Sequence, residues 1–409
     1  MKNKFFILFL LAAANFTHIM DVMIIMPLSD RLMKLFEIMP QEYALLVSVY
    51  SSCAFVAGLL GAIYLDKFDR RTVFLFVYAF FGAATFACSF ATNFYFFLIF
   101  RGIAGFFGGI IGALVLAIAS DLFVAKERGK AIGIIMMAFS FASVIGIPTG
   151  LYLAIQFNWH APFQFLGVLS FIIWLISFKY IPSLRSHIDA KNKDDKGSGH
   201  KETRKEALLQ LLNSKNARLA LLLTFTLVLG QFMIIPFITP YMIRNIGFSE
   251  SQITLIYFIG GGFTIFTSPL LGRYVDRFGA RKMFNIILPI SFIAVALLTH
   301  LHLISNSIPI WVALSVTTFF FVFGSGRMIP AQTQLTMAIS TKRRASFMSL
   351  NSSVQQLGSA LASIIGGFIV MEANTPTKEI IHYNWVGLLA ICITLTALFI
   401  FPLIKSVKD

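Results

Sequence analysis

Three ionisable side chains lie deep within long apolar runs: Asp21 in "FTHIMDVMII", Arg101 in "IFRGIAGFFGG" and Arg327 in "FGSGRMIPAQTQ". A charge near the middle of a bilayer-length helix costs ~2.5 to 3.5 kcal/mol to insert, so each of these residues calls for a use. Asp21 is nine residues before Asp30 at the outer end of its run, and Arg101 is eight after Asn93 at the outer start of its own. The two therefore sit at similar depth and can pair. Burial favours the neutral acid while a neighbouring guanidinium favours the carboxylate, so such a pair is poised to take up a proton when it loosens. Two other uses stay open: a permanent ion pair that only fastens one helix to another, and direct contact with a solute. His18, one turn before Asp21, is a candidate helper. Gln231, Arg327, Asn351 and Gln355 complete the polar set, and Asn351 and Gln355, four apart, share one helix face.

The elements that carry these residues follow from composition. A chain of 409 residues that is 57% hydrophobic, 15% aromatic and only 12% charged cannot hide its apolar surface in a soluble globule. Twelve apolar runs recur at about 5–28, 43–65, 72–92, 94–118, 130–154, 162–181, 217–242, 252–271, 283–301, 309–338, 346–371 and 383–404. Each is long enough to cross ~30 Å of hydrocarbon as a helix rising ~1.5 Å per residue. The expected class is all-α integral membrane, with twelve spans.

The net charge of +15 reflects topology and not nucleic-acid binding. Of the 33 Lys and Arg, 27 fall in alternate connections on the side of the N-terminus and four on the other side, and Arg101 and Arg327 complete the set. The positive-inside rule then places both termini in the cytoplasm, in a plasma membrane such as a bacterial inner membrane. Lys2 and Lys4, an apolar run and Ala12 to Ala14 imitate a signal peptide, but the run continues past the alanines, which favours an uncleaved first helix. Cys53, Cys88 and Cys392 lie within spans at no metal-binding spacing, so neither a metal nor a cofactor is expected.

The one long hydrophilic stretch, 182–216, includes "DAKNKDDKGSGHKETRKE" and reads as a cytoplasmic linker with a short amphipathic turn around 207–212. It separates residues 1–181 from 217–409, six runs on each side. The two parts repeat. "YLDKFDRR" follows the second run and "GRYVDRFGARK" the eighth, with Asp66 and Asp276 210 residues apart, while "AKERGKA" and "STKRRAS" follow the fourth and tenth. Duplicated six-helix bundles that rock about a midplane site give alternating access.

These features resemble the major facilitator superfamily over essentially the whole chain. Its signature between helices 2 and 3, Gly-x-Leu-Ala-Asp-Arg-x-Gly-Arg-Lys in general form, is matched by Asp66, Lys67, Arg70 and Arg71, with Ala62 and Asp69 standing at glycine positions. The second copy has Gly272, Asp276, Arg277 and Gly279. The resemblance implies a conformational latch built on these residues, with Asp121 at the end of helix 4 as the partner of Arg70. It also implies that helices 1, 4, 7 and 10 line a central cavity that all three deep charges face. In helix 5, Gly146, Pro148 and Gly150 of "SVIGIPTGLYLA" resemble the glycine–proline gating signature of proton-coupled exporters, in the arabinose-efflux-like branch. In helix 4, Gly105 with Gly109 and Gly108 with Gly112 are pairs that let helices approach closely.

The expectation is a secondary active transporter, not an enzyme: a drug:proton antiporter type that exports a small amphipathic, drug-like or sugar-like solute. Its expected partners are that solute, H+ and lipid, and a monomer is expected. A passive uniporter or importer of the same fold remains the nearest alternative. An intramembrane enzyme would need paired acids, a metal constellation or an activated nucleophile at depth, and the sequence has one deep acid. A transporter-like receptor is a further alternative.

Overall fold

The computed structural model describes residues 2–64, 68–185, 210–303, 308–340 and 343–407. Asp66 and most of the 182–216 stretch therefore lie outside the described residues. Among the described residues, eleven helices are long and apolar enough to cross a membrane: α1 Lys4–Ile24, α2 Pro40–Tyr64, α3 Arg70–Cys88, α4 Phe94–Leu122, α5 Glu127–Gln156, α6 Ala161–Tyr180, α7 Lys215–Arg244, α8 Glu250–Phe278, α9 Ala280–Thr299, α10 Ile310–Met337 and α12 Tyr383–Leu403. Between the last two lies α11, Arg344–Ile369. It is as long as the others, but "SLNSSVQQLGSALAS" makes it too polar to qualify by composition.

Local chemistry fixes the ends. Asn93 caps α4 by accepting from the Phe96 N–H at 2.9 Å, and Ser249 and Gln252 form a reciprocal capping box at the start of α8. Three spans are interrupted. A π-helical turn, Ala142–Gly146, lies inside α5; a 3-10 turn, Ile235–Phe237, lies inside α7; and α10 breaks at Arg327, between Ile310–Gly326 and Met328–Met337. The proline at 330 falls in the first turn of the second piece, where its missing N–H costs no helical bond.

Two small elements sit on the face opposite the termini, and neither is apparent as a hydropathy run. One is a short helix, Ser29–Phe36, after α1. The other is a two-stranded antiparallel hairpin between α11 and α12, pairing Met371 with Ile381 and Glu372 with Ile380.

The first six helices pack on one another, as do the last six, and the two groups meet along α2 with α11 and α5 with α8. The cores show which end is shut. One apolar cluster includes Ile25, Tyr43 and Trp159 from the first half with Phe237, Tyr241 and Tyr257 from the second. Toward the termini the halves have separate clusters, one around Leu8, Phe74 and Val115 and another around Ala217, Phe284 and Phe401, which Leu59 of α2 touches. The molecule is closed on the face opposite the termini.

Candidate functional site

The glycines of α4 build the site by drawing α2 against it. A Cβ on Gly105 would stand 2.7 Å from the Tyr50 Cα, and one on Gly109 would stand 2.6 Å from the Ala54 Cα, so only glycine permits this approach. Gly108 leaves room for the Tyr50 hydroxyl and for His18, whose Nδ1 would be 3.0 Å from an added Cβ. Gly112 differs from expectation: nothing lies within 4 Å of its Cβ position, so it takes no part in the close approach.

Inside this frame Arg101 reaches Asp21. Its Nη1 donates to Asp21 Oδ2 at 2.9 Å and to the Asp21 carbonyl at 3.3 Å, and the two side chains are 1% and 0% exposed. Among the described residues, the Oδ1 of Asp21 and the Nε of Arg101 are buried with no hydrogen bond of good geometry, and the Thr85 hydroxyl is the other side-chain donor beside the carboxyl. The guanidinium carbon lies 4.4 Å from the centre of the Tyr50 ring, and the Tyr50 hydroxyl is 3.2 Å from His18 Nδ1. Thr85 and Cys88 of α3 face the pair from the remaining side. Chemically, one carboxylate oxygen is held by a cation, and the other, with only the Thr85 hydroxyl beside it, can accept a proton without breaking that bond.

Arg327 lies apart from the Asp21–Arg101 pair, among helices of the second half. It is 2% exposed and lies within the second half, donating to Ser291 Oγ at 3.3 Å, the Leu227 carbonyl at 3.2 Å and Gln231 Oε1 at 3.0 Å. All of these acceptors are neutral. Gln231 is 210 residues after Asp21, the interval that separates the two copies of the loop motif, and each accepts from an arginine of the fourth helix of its half. The second half thus carries an amide where the first carries an acid. Asn351 is buried and accepts from the Thr224 hydroxyl at 2.6 Å, while Gln355 is half-buried one turn further on.

In α5, Gly146 packs on Met20 and Phe16, and Gly150 on Ile24 and Met20, so the Gly146–Pro148–Gly150 segment bears on α1 beside Asp21. The π turn that leads into this segment meets the second half, since a Cβ on Gly261 of α8 would lie 3.1 Å from the Ser143 carbonyl oxygen.

At the face that carries the termini, Arg70 pairs with Asp121 at 2.9 Å and donates to the Ala117 carbonyl at 2.7 Å, which fastens α3 to α4 within one half. Asp276 and Arg277 are exposed, and Arg277 lies over the Phe278 ring at 5.2 Å. Asp69 caps α3 through the Arg71 N–H and also accepts from Ser183 Oγ at 2.6 Å and the Leu184 N–H at 2.9 Å. Partial burial works against its ionisation, but these donors and Arg185 outweigh it and hold its carboxyl below the ordinary range.

The sequence reading missed the closure on the opposite face. Arg244 Nε donates to Asp30 Oδ1 and its Nη1 to Glu372 Oε1, each at 2.5 Å; Arg31 meets Glu250 at 3.2 Å, and Lys34 meets Asp30 at 2.7 Å. A signal was present. Arg31, Lys34, Arg244 and Lys378 are the four cations in the connections on the side opposite the N-terminus, and each is in an ion pair here.

Comparison with known proteins agrees with this architecture. The chain is 21% identical over 329 residues to the uncharacterized MFS-type transporter YbcL of Bacillus subtilis (strain 168), covering 80% of this chain and 78% of that one. It is 26% identical over 250 residues to a probable sugar efflux transporter of Helicobacter pylori (strain G27), covering 60% and 59%. A crystal structure of a D-xylose-proton symporter superposes with a TM-score of 0.77 at 16% identity, covering 98% of both chains. Two successive matches to the Major Facilitator Superfamily span residues 11–229 and 220–408, and the chain belongs to that family as a multi-pass membrane transporter.

Proposed function

We propose that this transporter is a proton-coupled exporter of a small amphipathic, drug-like or sugar-like solute, working in a plasma membrane with both termini cytoplasmic. The observation that carries the reading is the Asp21–Arg101 pair, fully buried, with no second cation on the carboxylate among the described residues. A proton entering there removes the negative charge from the pair and leaves Arg101 without its counter-ion, which changes the energy of each arrangement of the two halves. Residues 1–181 and 217–409 would rock about the α2–α11 and α5–α8 seams. A proton moving down the membrane potential supplies ~2.3 kcal/mol per 100 mV, enough to drive solute outward. The segment Gly146–Pro148–Gly150 supports the coupling, because it bears on α1 beside Asp21 while the π turn that leads into it meets α8 through Ser143. The sugar efflux name of one relative is consistent with export. Arg327, whose contacts are all neutral, favours an anionic or zwitterionic solute.

The test is a solute screen in liposomes under an imposed pH gradient, with Asp21→Asn alongside the parent. Asp21→Asn is expected to insert and to lose gradient-driven transport while exchange of solute down its own gradient partly survives. Unchanged pH-driven transport by Asp21→Asn overturns the coupling, and parent flux that ignores the gradient identifies a passive uniporter.

A further inference from the structure

The Asp21–Arg101 pair has a third member that neither charge pattern nor motif announces. Tyr50 is 1% exposed, its ring face covers the Arg101 guanidinium, and its hydroxyl meets His18 Nδ1. Its backbone packs against Gly105, which fixes the point from which the ring reaches the arginine. The next residue, Ser51, points the other way and lies 3.2 Å from Ser359 of α11 across the seam between the halves. One turn of α2 therefore contacts both the proton site and the surface on which the halves move.

The groups around Asp21 are few. Arg101 comes from α4, Tyr50 from α2, Thr85 and Cys88 from α3, and His18 from α1 itself. Among the described residues α5 and α6, also packed on α1, bring it no titratable partner. Arg101 thus has three sources of compensation: the carboxylate, the Asp21 backbone carbonyl and the negative face of one aromatic ring. When Asp21 accepts a proton on Oδ1, the carboxylate charge is gone and the ring remains.

We propose that Tyr50 is the positioning residue of the proton site: its ring holds the Arg101 guanidinium in place while Asp21 is protonated, so that the pair re-forms when the proton leaves. This rests on Asp21 being the proton-binding acid. Without the ring, the ionised state still has the carboxylate to hold Arg101, whereas the protonated state keeps only the Asp21 carbonyl, so the protonated state loses more and becomes harder to reach. Proton uptake then needs a more acidic medium. The hydroxyl is not needed for this effect.

The test needs no solute. Purified protein in liposomes is titrated with buffer and followed by infrared difference spectroscopy, using the carbonyl stretch of a protonated carboxylic acid as the readout. Asp21→Asn should remove the band; a band that persists in Asp21→Asn means the acid lies elsewhere and the underlying reading fails. If that control behaves, Tyr50→Phe should keep the parent midpoint and Tyr50→Leu should move it by roughly one pH unit toward acid. Because leucine leaves a space in a tight interface, phenylalanines carrying increasing numbers of ring fluorines at position 50 form a series of nearly constant shape. Their midpoints should move stepwise toward acid as the ring face loses negative charge. A midpoint that stays fixed along the fluorinated series, or Tyr50→Phe shifting as far as Tyr50→Leu, overturns the role of the ring.

Discussion

Arg244 and Asp30 form a buried ion pair at 2.5 Å that joins the end of α7 to the short helix after α1, and so ties one half of the transporter to the other. Both side chains are almost inaccessible, at 3% and 2% exposed, which separates this pair from the surface ion pairs that contribute little. Glu372, placed by the hairpin after α11, holds Arg244 from a second side. Opening the molecule on this face must break the Asp30 contact. Removing a hydrogen bond to a charged group forfeits about 1.5 to 3 kcal/mol, which corresponds to a roughly ten- to hundredfold change in the balance of states. Arg244→Gln and Asp30→Asn are therefore expected to raise the population open on this face. Distance measurements between spin labels on the two halves, or accessibility of cysteines introduced near Tyr43, would record it. Identical distance distributions in parent and variants would remove the pair from the gating cycle.

Asp69 predicts a pH-dependent contribution at the other face. Its carboxyl lies below the ordinary range when folded, so its stabilisation is present above the unfolded carboxylate value and fades as pH falls through the folded one. Asp69→Ala removes the cap of α3 and the bonds to Ser183 and Leu184, and should cost ~0.5 to 2 kcal/mol at neutral pH. Thermal unfolding in detergent at neutral and strongly acidic pH checks this. The gap between parent and variant should close in acid, and a constant gap would show that packing, not the carboxylate, is responsible.

The residues that were legible in the sequence were those that violate a rule visible in one dimension. Asp21 and Arg101 break an apolar run, and their equal depth follows from counting along two helices. Arg70 and Asp121 are likewise placed by a motif and a helix end. Tyr50 breaks no rule, because an aromatic residue at helical spacing looks like packing, and only three-dimensional contact puts its ring on Arg101. Asp69 looked like a departure from a glycine position, although an acid before a helix start is a sound cap. Depth along a helix also could not say which way Arg327 points. Its acceptors come from α7 and α9, and that arrangement depends on how α10 breaks.

The glycines of α4 permit a paired comparison. At Gly105 the nearest atoms to an added Cβ are Tyr50 backbone, which cannot rotate away, whereas at Gly112 there is open space. Gly105→Ala should destabilise by ~1 to 3 kcal/mol through overpacking, and Gly112→Ala should be near neutral. Thermal unfolding of both variants in the same detergent decides it. Equal effects would mean that the α2–α4 contact is looser than it is drawn here.

Arg327 is a positive charge in the interior of the second half, bonded to a hydroxyl, a carbonyl and an amide, and its Nε has no hydrogen-bond partner among the described residues. In the first half an acid answers the arginine; in the second Gln231 takes that place, so no counter-charge comes from the repeat. A buried guanidinium with only neutral partners is costly, and an anionic group arriving with the solute would lower that cost. Protonation of Asp21 deepens the deficit, since Arg101 then also lacks its carboxylate. The transporter is expected to prefer anionic or zwitterionic solutes. Arg327→Gln should reduce binding of an anionic solute roughly ten- to hundredfold, in line with ~1.5 to 3 kcal/mol for a hydrogen bond to a charged group, while leaving a neutral analogue nearly unchanged. Competition binding with the carboxylate, amide and amine forms of one fluorescent amphiphile separates the cases. If Arg327 serves only to tie α10 to α7 and α9, Arg327→Gln will lower thermal stability and weaken all three forms alike, and the parent will show no preference for the carboxylate.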